Sequence, residues 1–179
     1  MTGEPGAIRI IVSDVDGVWT SGGIIYLDGQ REIKEFNVRD GLAVKLAQNA
    51  GIIVAVITSR QSEAVARRCR ELGIDHLIQG ATSKLDQTAR LIESLDLRFD
   101  ETCYIGDDLP DLAPIGAASI SAAPSDACAE VLDMVTWKLE AAGGRGAFRE
   151  LVERLLKLRG QWEGIVQGFS RGTLTSSKV

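Results

Sequence analysis

The chain has 179 residues, of which 45% are hydrophobic and 25% are charged. This size and balance fit one compact domain with a sizeable core and exclude a disordered chain. With 25 acidic against 20 basic residues the net charge is -5, which argues against a nucleic-acid or membrane-surface binder, because such proteins need a basic face.

Hydrophobic periodicity and turn residues predict alternating strands and helices along the chain. In chain order they are a strand over 8–12, a β-hairpin over 22–36, a helix over 40–49, a strand over 52–57, a helix over 63–72, a short strand over 76–78, a helix over 83–95, a strand over 102–105, a short helix over 110–115, a strand over 118–121, a helix from about residue 126, a strand over 134–136 and an amphipathic helix over 147–158. Asp28 and Gly29 support a tight turn in the hairpin, and Ser83 is a candidate helix N-cap.

This alternation is typical of an α/β fold with a parallel sheet, which carries its chemistry on the loops at the carboxyl ends of the strands. The pattern weakens after residue 160, so we expect residues 161–179 to form a mobile C-terminal tail.

Signals for secretion and membrane insertion are missing from the sequence. It has no apolar run of the roughly 18 residues that a membrane span needs, and residues 1–7 lack a signal-peptide pattern. The three cysteines are widely spaced without a CxxC pair, so they fit neither a disulfide framework nor a zinc site. These features favour the cytoplasm.

The first predicted strand ends in Ser13-Asp14-Val15-Asp16-Gly17. Because strand side chains alternate, Asp14 and Asp16 point to the same side, and Gly17 then lets the chain turn. Two carboxylates at the end of a buried strand indicate a catalytic role, with a solvated acidic turn as the alternative.

Two later positions can hold an anion. Thr58 and Ser59 follow the strand over 52–57, and a hydroxyl with adjacent backbone N–H groups can bind a phosphate. Lys84 opens a helix, where its charge opposes the helix dipole unless an anion lies nearby. The alternatives are an N-cap role for Thr58 and simple exposure for Lys84.

A third acidic group follows the strand over 102–105, where Asp107, Asp108 and Asp111 lie within five residues. Carboxylates at this density suit a hard cation, and Mg²⁺ is the usual choice beside a phosphate. A cluster of turn and cap residues is the alternative.

Together these groups suit phosphoryl transfer through an aspartyl-phosphate. One carboxylate attacks phosphorus, the second acts as acid and then as base, and Mg²⁺ with the lysine screens the charge repulsion.

The four motifs, in this order and at strand ends, resemble those of the haloacid dehalogenase superfamily of phosphatases. A closer resemblance is to the 3-deoxy-D-manno-octulosonate 8-phosphate phosphatase family, which acts in making the sugar Kdo for lipopolysaccharide. The segments that carry it are residues 36–41, 57–60, 72–80, 106–111 and 143–150, and the likeness covers roughly residues 8–160. Ser21 and Ser59 depart from the family pattern, which usually has aspartate and glycine there.

The resemblance implies a doubly wound, mostly parallel sheet in one domain over 1–160, with the 22–36 hairpin as an insert and no separate cap domain. The family is tetrameric. Because the insert is too short to form a cap, we expect a homotetramer in which each hairpin completes a neighbouring active site.

Residue roles follow from the same resemblance. Asp14 would be the nucleophile and Asp16 the general acid/base. The phosphoryl group would be held by Thr58, Ser59 and Lys84. Mg²⁺ would be bound by Asp14, the backbone carbonyl of Asp16 and Asp107, with Asp108 and Asp111 supporting.

The expected substrate is a sugar-acid phosphate, whose anionic groups suit guanidinium and ammonium partners. The candidates are Lys34, Arg39, Arg60 and Arg145. Three glycines flank Arg145, so this segment is either a gate over the active site or a linker.

Three other functions compete with this interpretation. One is a phosphatase of a nonulosonate 9-phosphate, a sialic-acid-type sugar. A second is a phospho-acceptor receiver domain, in which an adjacent acidic pair would follow the first strand instead of a later one. A third is a catalytically silent scaffold subunit, against which Asp14, Asp16, Lys84 and Asp107 argue.

Overall fold

The computed structural model describes residues 7–27 and 31–174. The strands are β1 (Ile10–Ser13), β2 (Ile25–Leu27), β3 (Arg31–Ile33), β4 (Ile53–Thr58), β5 (His76–Gln79), β6 (Thr102–Ile105), β7 (Ile120–Ala123) and β8 (Trp137–Lys138). The helices are α1 (Val38–Asn49), α2 (Glu63–Leu72), α3 (Lys84–Ser94), α4 (Leu112–Ala117), α5 (Ala129–Met134), α6 (Ala147–Leu158) and α7 (Trp162–Ser170), with 3₁₀ turns over Phe99–Glu101 and Leu109–Asp111.

A six-stranded parallel sheet has the order β5-β4-β1-β6-β7-β8. The central strand β1 is apolar and fully buried, because helices cover both faces of the sheet. It pairs in parallel with β4 and with β6, and Ser13 lies opposite both Val56 and Ile105. The carboxyl ends of the three central strands therefore meet at one edge, where the strand order reverses.

Two hydrophobic cores lie on opposite faces of the sheet. Helices α1, α2 and α6 contribute to the larger core, with α7 packed against it. Helices α3, α4 and α5 contribute to the smaller one. This arrangement confirms the expected doubly wound α/β architecture.

The hairpin insert is confirmed as the antiparallel pair β2–β3. The expected turn at Asp28 and Gly29 lies outside the described residues. The described residues contain no separate cap domain, and none of their helices is long and apolar enough to cross a membrane.

The segment after residue 160 differs from the expected tail over 161–179. Residues 162–170 form α7, in which Trp162, Ile165 and Phe169 pack against the larger core. Their positions, i, i+3 and i+7, form a short apolar face, so the helical pattern continues past residue 160 although the residues after Ser170 are mostly small and polar. Residues 175–179 lie outside the described residues.

The strand expected over 134–136 is wrong, and β8 begins at Trp137 instead. Met134 ends α5, where the Val135 N–H still donates to the Val131 carbonyl as in a helix. Thr136 then joins β7 through its backbone N–H to Ser121 Oγ, at 3.1 Å. Side-chain hydrogen bonds thus precede the backbone ladder, which starts at Trp137 opposite Ala122.

Candidate active site

The loop after β1 carries the first two candidate residues. Asp14 is buried, and its backbone N–H donates to the Ile105 carbonyl at 3.0 Å. Gly17 has φ +84°, in the left-handed region, and a Cβ there would overlap the Asp107 carboxylate. Only glycine therefore lets this turn lie against the loop after β6.

Lys84, the first residue of α3, reaches into the site and is buried. Its ammonium lies 2.9 Å from Asp14 Oδ2 and 2.7 Å from Asp111 Oδ1. Burial alone would lower the pKa of Lys84, but the two carboxylates outweigh burial and raise it. The anion expected beside this helix start is thus supplied partly by the protein itself.

Asp111 organises the loop after β6. Its Oδ1 accepts from Lys84 and from the Tyr104 hydroxyl, at 2.7 and 2.8 Å. Its Oδ2 accepts from the backbone N–H groups of Asp107 and Asp108, at 3.2 and 3.4 Å. With both oxygens engaged, Asp111 supports the other carboxylates more readily than it binds a ligand.

The acidic cluster fits the cation that the motifs imply. Ligand oxygens of Asp14, Asp107 and Asp111 all lie within 4.8 Å of one another. Asp14 Oδ1 and Asp107 Oδ1 are buried and accept no hydrogen bond from the described residues. Burial raises the pKa of Asp14 to about 6 and that of Asp107 to about 7. A divalent oxygen-binding cation such as Mg²⁺ would satisfy both free oxygens.

Asp108 does not belong to this buried cluster. It is exposed, and its Oδ1 accepts from the Leu109 N–H at 2.8 Å, so it caps the 3₁₀ turn that follows. The alternative given for this motif, a cluster of turn and cap residues, therefore applies to Asp108, while Asp107 and Asp111 belong to the acidic cluster.

The loop after β4 closes the opposite side. Thr58 is buried, and its hydroxyl accepts from the Arg60 N–H at 3.4 Å. Thr58, Ser59 and Arg60 all line the same cavity as Asp14.

Asp16 belongs to a ring of four alternating charges, together with Lys34, Glu32 and Arg60. Lys34 Nζ forms ion pairs with Asp16 Oδ1 and, at 2.8 Å, with Glu32 Oε1. Arg60 lies 3.6 Å from Asp16 Oδ2 and 3.5 Å from Glu32 Oε2. The hairpin strand β3 and the segment that follows it therefore reach the active site of their own subunit.

These groups line a cavity of about 240 Å³ at the strand ends. Its lining residues are Asp14, Asp16, Gly22, Thr58, Ser59, Arg60, Lys84, Asp107, Asp108, Pro110 and Asp111. Lys34 joins the site through Asp16. Arg39 and Arg145 are exposed and do not line the cavity.

The glycine-rich segment packs directly on the catalytic loop. The Gly144 N–H donates to the Val18 carbonyl at 2.9 Å, and a Cβ at Gly143 would overlap the Gly17 carbonyl oxygen. Asp126 Oδ1 accepts from the Gly143 N–H at 2.8 Å. In this structure the segment therefore supports the loop that carries Asp16.

Sequence reasoning missed two residues of the site, Glu32 and Tyr104. A tyrosine within a fully buried strand needs a partner for its hydroxyl, which is a usable signal for Tyr104. Glu32 lies two residues before Lys34, so the two share one face of a strand. That spacing pairs them but does not indicate what they face.

No protein-family model matches the chain. It is 40% identical over 155 residues to the 3-deoxy-D-manno-octulosonate 8-phosphate phosphatase KdsC of Escherichia coli K12, which covers 86% of this chain and 82% of the relative. Identity to the enzyme of the same name from Yersinia pestis is 38% over 158 residues, covering 88% and 84%.

Solved structures give the same result. The phosphatase of this name from Moraxella catarrhalis, in complex with magnesium, phosphate and KDO, has a TM-score of 0.90 and 36% identity, covering 93% of this chain and 95% of that one. The cobalt-bound enzyme from Haemophilus influenzae has a TM-score of 0.89 and 36% identity, covering 93% and 98%. A hydrolase structure from Legionella pneumophila, named for subfamily III A of the HAD superfamily, has a TM-score of 0.88 and 38% identity, covering 94% and 92%.

Proposed function

The chain belongs to the 3-deoxy-D-manno-octulosonate 8-phosphate (Kdo 8-phosphate) phosphatase family of the haloacid dehalogenase superfamily, and from this premise we propose how its residues carry out the reaction. It is a Mg²⁺-dependent phosphoric monoester hydrolase that converts Kdo 8-phosphate to Kdo and phosphate. The relatives are named for the octulosonate substrate, so a nonulosonate 9-phosphate substrate is not favoured.

Asp14 is the nucleophile of the proposed mechanism. Its carboxylate attacks phosphorus, the bond to the sugar oxygen breaks, and an aspartyl-phosphate forms. Lys84 stabilises the charge that develops on the phosphoryl oxygens, with Thr58 and Ser59 as hydrogen-bond donors. Support comes from the 2.9 Å approach of Lys84 to Asp14 and from the shared cavity.

Asp16 is the proposed general acid and base. It gives a proton to the leaving sugar oxygen and then takes one from the water that hydrolyses the aspartyl-phosphate. Its position two residues beyond Asp14, on the same cavity, supports this role.

Asp14 and Asp107 hold the Mg²⁺ in this proposal, together with the backbone carbonyl of Asp16. When bound, the ion screens the repulsion between the attacking carboxylate and the phosphate dianion. Asp108 and Asp111 support this site, Asp111 by fixing the backbone of Asp107.

Lys34, Arg39, Arg60 and Arg145 are proposed to face the sugar acid. Arg60 has the strongest support, because it lines the cavity and its side chain is partly exposed. Arg145 and Arg39 would have to reach the substrate from exposed positions.

The hairpin supports the proposal of a homotetramer in which it docks on a neighbouring subunit. Its apolar side chains are exposed in the isolated chain, namely Ile24, Ile25, Tyr26, Leu27 and Ile33. A contiguous apolar patch of this kind is typical of an interface. Light scattering should give four times the chain mass, and a fully active monomer would contradict the proposal.

We also place the protein in the cytoplasm. The support is that Cys69, Cys103 and Cys128 are all free thiols, as is usual in a reducing compartment. Fractionation of cells that express the tagged chain tests this.

The convergence of Asp14, Lys84 and Asp107 at one edge of the sheet is the observation that carries the proposed function. The test is continued phosphate release from Kdo 8-phosphate by the purified protein with Mg²⁺, beside parallel assays with a nonulosonate 9-phosphate and with chelator. Faster turnover of the nonulosonate, or none of either, would contradict the assignment.

A further inference from the structure

We infer that Glu32 is a positioning residue for the general acid Asp16, acting through Lys34 and Arg60. This inference rests on the proposed function, because it gives Glu32 a part in the leaving-group step assigned to Asp16. Glu32 lies on the hairpin strand β3 and has no place in the motifs that identify the site.

The contacts of Glu32 form a closed circuit. Each of the two cations, Lys34 and Arg60, faces both carboxylates, Asp16 and Glu32, at ion-pair distance. Since Asp16 Oδ1 faces Lys34 and Asp16 Oδ2 faces Arg60, both carboxylate oxygens have a defined partner. The Thr20 hydroxyl also donates to Asp16 Oδ1, at 3.2 Å. The orientation of the Asp16 carboxylate thus depends on this hydroxyl and on where the two cations are held.

Burial makes the second carboxylate of the ring important. The Lys34 side chain is only 1% exposed and that of Glu32 14%. A buried ammonium needs counterions close by, and removing one partner of a buried ion pair is strongly unfavourable. Glu32 is a second counterion for Lys34, so the position of Lys34 does not depend on Asp16 alone.

Arg60 has more freedom, because its side chain is 39% exposed. Glu32 and Asp16 both lie within ion-pair distance of the guanidinium, at 3.5 and 3.6 Å. The Tyr26 hydroxyl of the hairpin adds a side-chain hydrogen bond and raises the pKa of Arg60. Without the charge of Glu32, two cations face a single carboxylate, and their mutual repulsion favours a shift of Arg60 toward solvent.

A positioning role for the acid predicts a dependence on the leaving group. In the step that forms the aspartyl-phosphate, the phosphorus–oxygen bond breaks and the departing oxygen takes the proton of Asp16. A nitrophenolate leaves readily without that proton, whereas a phenolate needs it more. Both substrates lack the sugar, so direct contacts of Lys34 or Arg60 with a sugar acid do not enter the comparison.

The experiment measures kcat/KM of the Mg²⁺-loaded full chain for phenyl phosphate and 4-nitrophenyl phosphate. Glu32→Gln should lower kcat/KM for phenyl phosphate about tenfold, a fraction of the 10²–10⁴ that acid–base catalysis usually supplies, and that for 4-nitrophenyl phosphate less than about twofold. Glu32→Asp, which keeps the charge, should recover part of the loss.

Glu35→Gln is the matched control. Glu35 is exposed, three residues further along the chain, and forms no ion pair among the described residues. Glu35→Gln makes the same change in net charge as Glu32→Gln but outside the ring, so we expect no effect on kcat/KM for either substrate. Light scattering and melting temperatures show whether all variants keep the wild-type assembly and fold.

Two results would overturn the inference. One is equal kcat/KM for Glu32→Gln and Glu35→Gln on both substrates. The other is an equal loss on both substrates for Glu32→Gln, which indicates a structural role of the hairpin. Asp14→Asn in the same assay distinguishes failure of this inference from failure of the proposed function. If Asp14→Asn remains active, the whole mechanism is wrong. If Asp14→Asn is inactive and Glu32→Gln behaves like wild type, only the role of Glu32 is wrong.

Discussion

Replacing Asp14 by asparagine exchanges a carboxylate for an amide at the group that attacks phosphorus. Asp14→Asn should therefore abolish phosphate release, since a neutral amide is a poor nucleophile. Asp16→Asn should lose about 10²–10⁴-fold, because the leaving group loses its acid. Steady-state assays on protein free of contaminating phosphatase check both, and wild-type turnover by Asp14→Asn would refute the assignment.

Asp107 has a buried carboxylate oxygen without a hydrogen-bond partner among the described residues, as Asp14 has, and its side chain lines the cavity. Asp107→Ala should raise the Mg²⁺ concentration for half-maximal activity by about 10–100-fold or eliminate activity. The neighbouring Asp108→Ala should have a smaller effect, because Asp108 is exposed and caps a turn. Identical Mg²⁺ titrations for Asp107→Ala and wild type would place the metal elsewhere.

Arg145 tests whether the glycine-rich segment takes part in substrate binding. If it does, Arg145→Ala should lose more kcat/KM for Kdo 8-phosphate than for 4-nitrophenyl phosphate, because only the sugar acid offers a carboxylate to a guanidinium. The fold should be unchanged, since Arg145 is exposed. Equal losses on both substrates, or none, would leave the segment with its packing role alone.

The site residues that could be predicted from the sequence are those at the ends of strands. Asp14 and Asp107 lie just after an apolar strand and Thr58 ends one, and parallel pairing brings such strand ends together. Glu32 could not be assigned in the same way. It lies on a hairpin outside the main sheet, and its contact with Arg60 depends on how that hairpin folds back.

Among the structural elements, the glycine-rich segment gives a sharp prediction through Gly143. A Cβ at this position would overlap the Gly17 carbonyl oxygen, a backbone atom that cannot move aside cheaply. Gly143→Ala should therefore cost about 1–3 kcal/mol of stability and displace the catalytic loop, lowering kcat. Thermal unfolding and steady-state kinetics measure the two effects.

Gly164→Ala is the control for that substitution. Gly164 lies in α7, where an added Cβ meets nothing within 4 Å. We expect unchanged kcat and a stability gain of up to about 1 kcal/mol from helix propensity. Wild-type stability and activity in Gly143→Ala would show that the catalytic loop tolerates displacement.

Elements with strong periodicity were predictable, and weakly patterned ones were not. The helix over Glu63–Leu72 and its glycine stop agree with the prediction, and Gly73 has φ +64° as a C-cap should. The edge strand β8 has only two residues and is preceded by side-chain hydrogen bonds. Local sequence carries little signal for such a strand, because its position is set by the neighbouring strand β7.

For the whole molecule, the acidic cluster makes the folding stability depend on pH and on metal binding. Burial raises the pKa of Asp14 to about 6 and of Asp107 to about 7, from 3.8 in an unfolded chain. Without metal, the folded state holds protons in this range that the unfolded state releases, so stability falls as pH rises from about 4 to about 7. Mg²⁺ displaces those protons, so its stabilising effect should grow over the same range.

Melting temperatures in chelator and in saturating Mg²⁺, from about pH 5 to about pH 8, test this linkage. The gain from Mg²⁺ should increase with pH in wild type and flatten in Asp107→Asn. Asp40, whose pKa burial also raises to about 6, steepens the curve in chelator but leaves the gain from Mg²⁺ unaffected. A gain that is constant with pH, or larger at low pH, would contradict the proposed metal site.

The contact between the catalytic loop and the glycine-rich segment has a consequence for synthesis of the chain. Gly144 also accepts a hydrogen bond from the Asn37 side chain, 107 positions earlier. During translation the loop with Asp14 and Asp16 emerges well before its supporting segment, since Gly143 lies 127 positions after Asp16. A nascent chain arrested after β7 would contain every catalytic side chain, but its catalytic loop would lack that support. Activity would therefore arise only after the glycine-rich segment has been made.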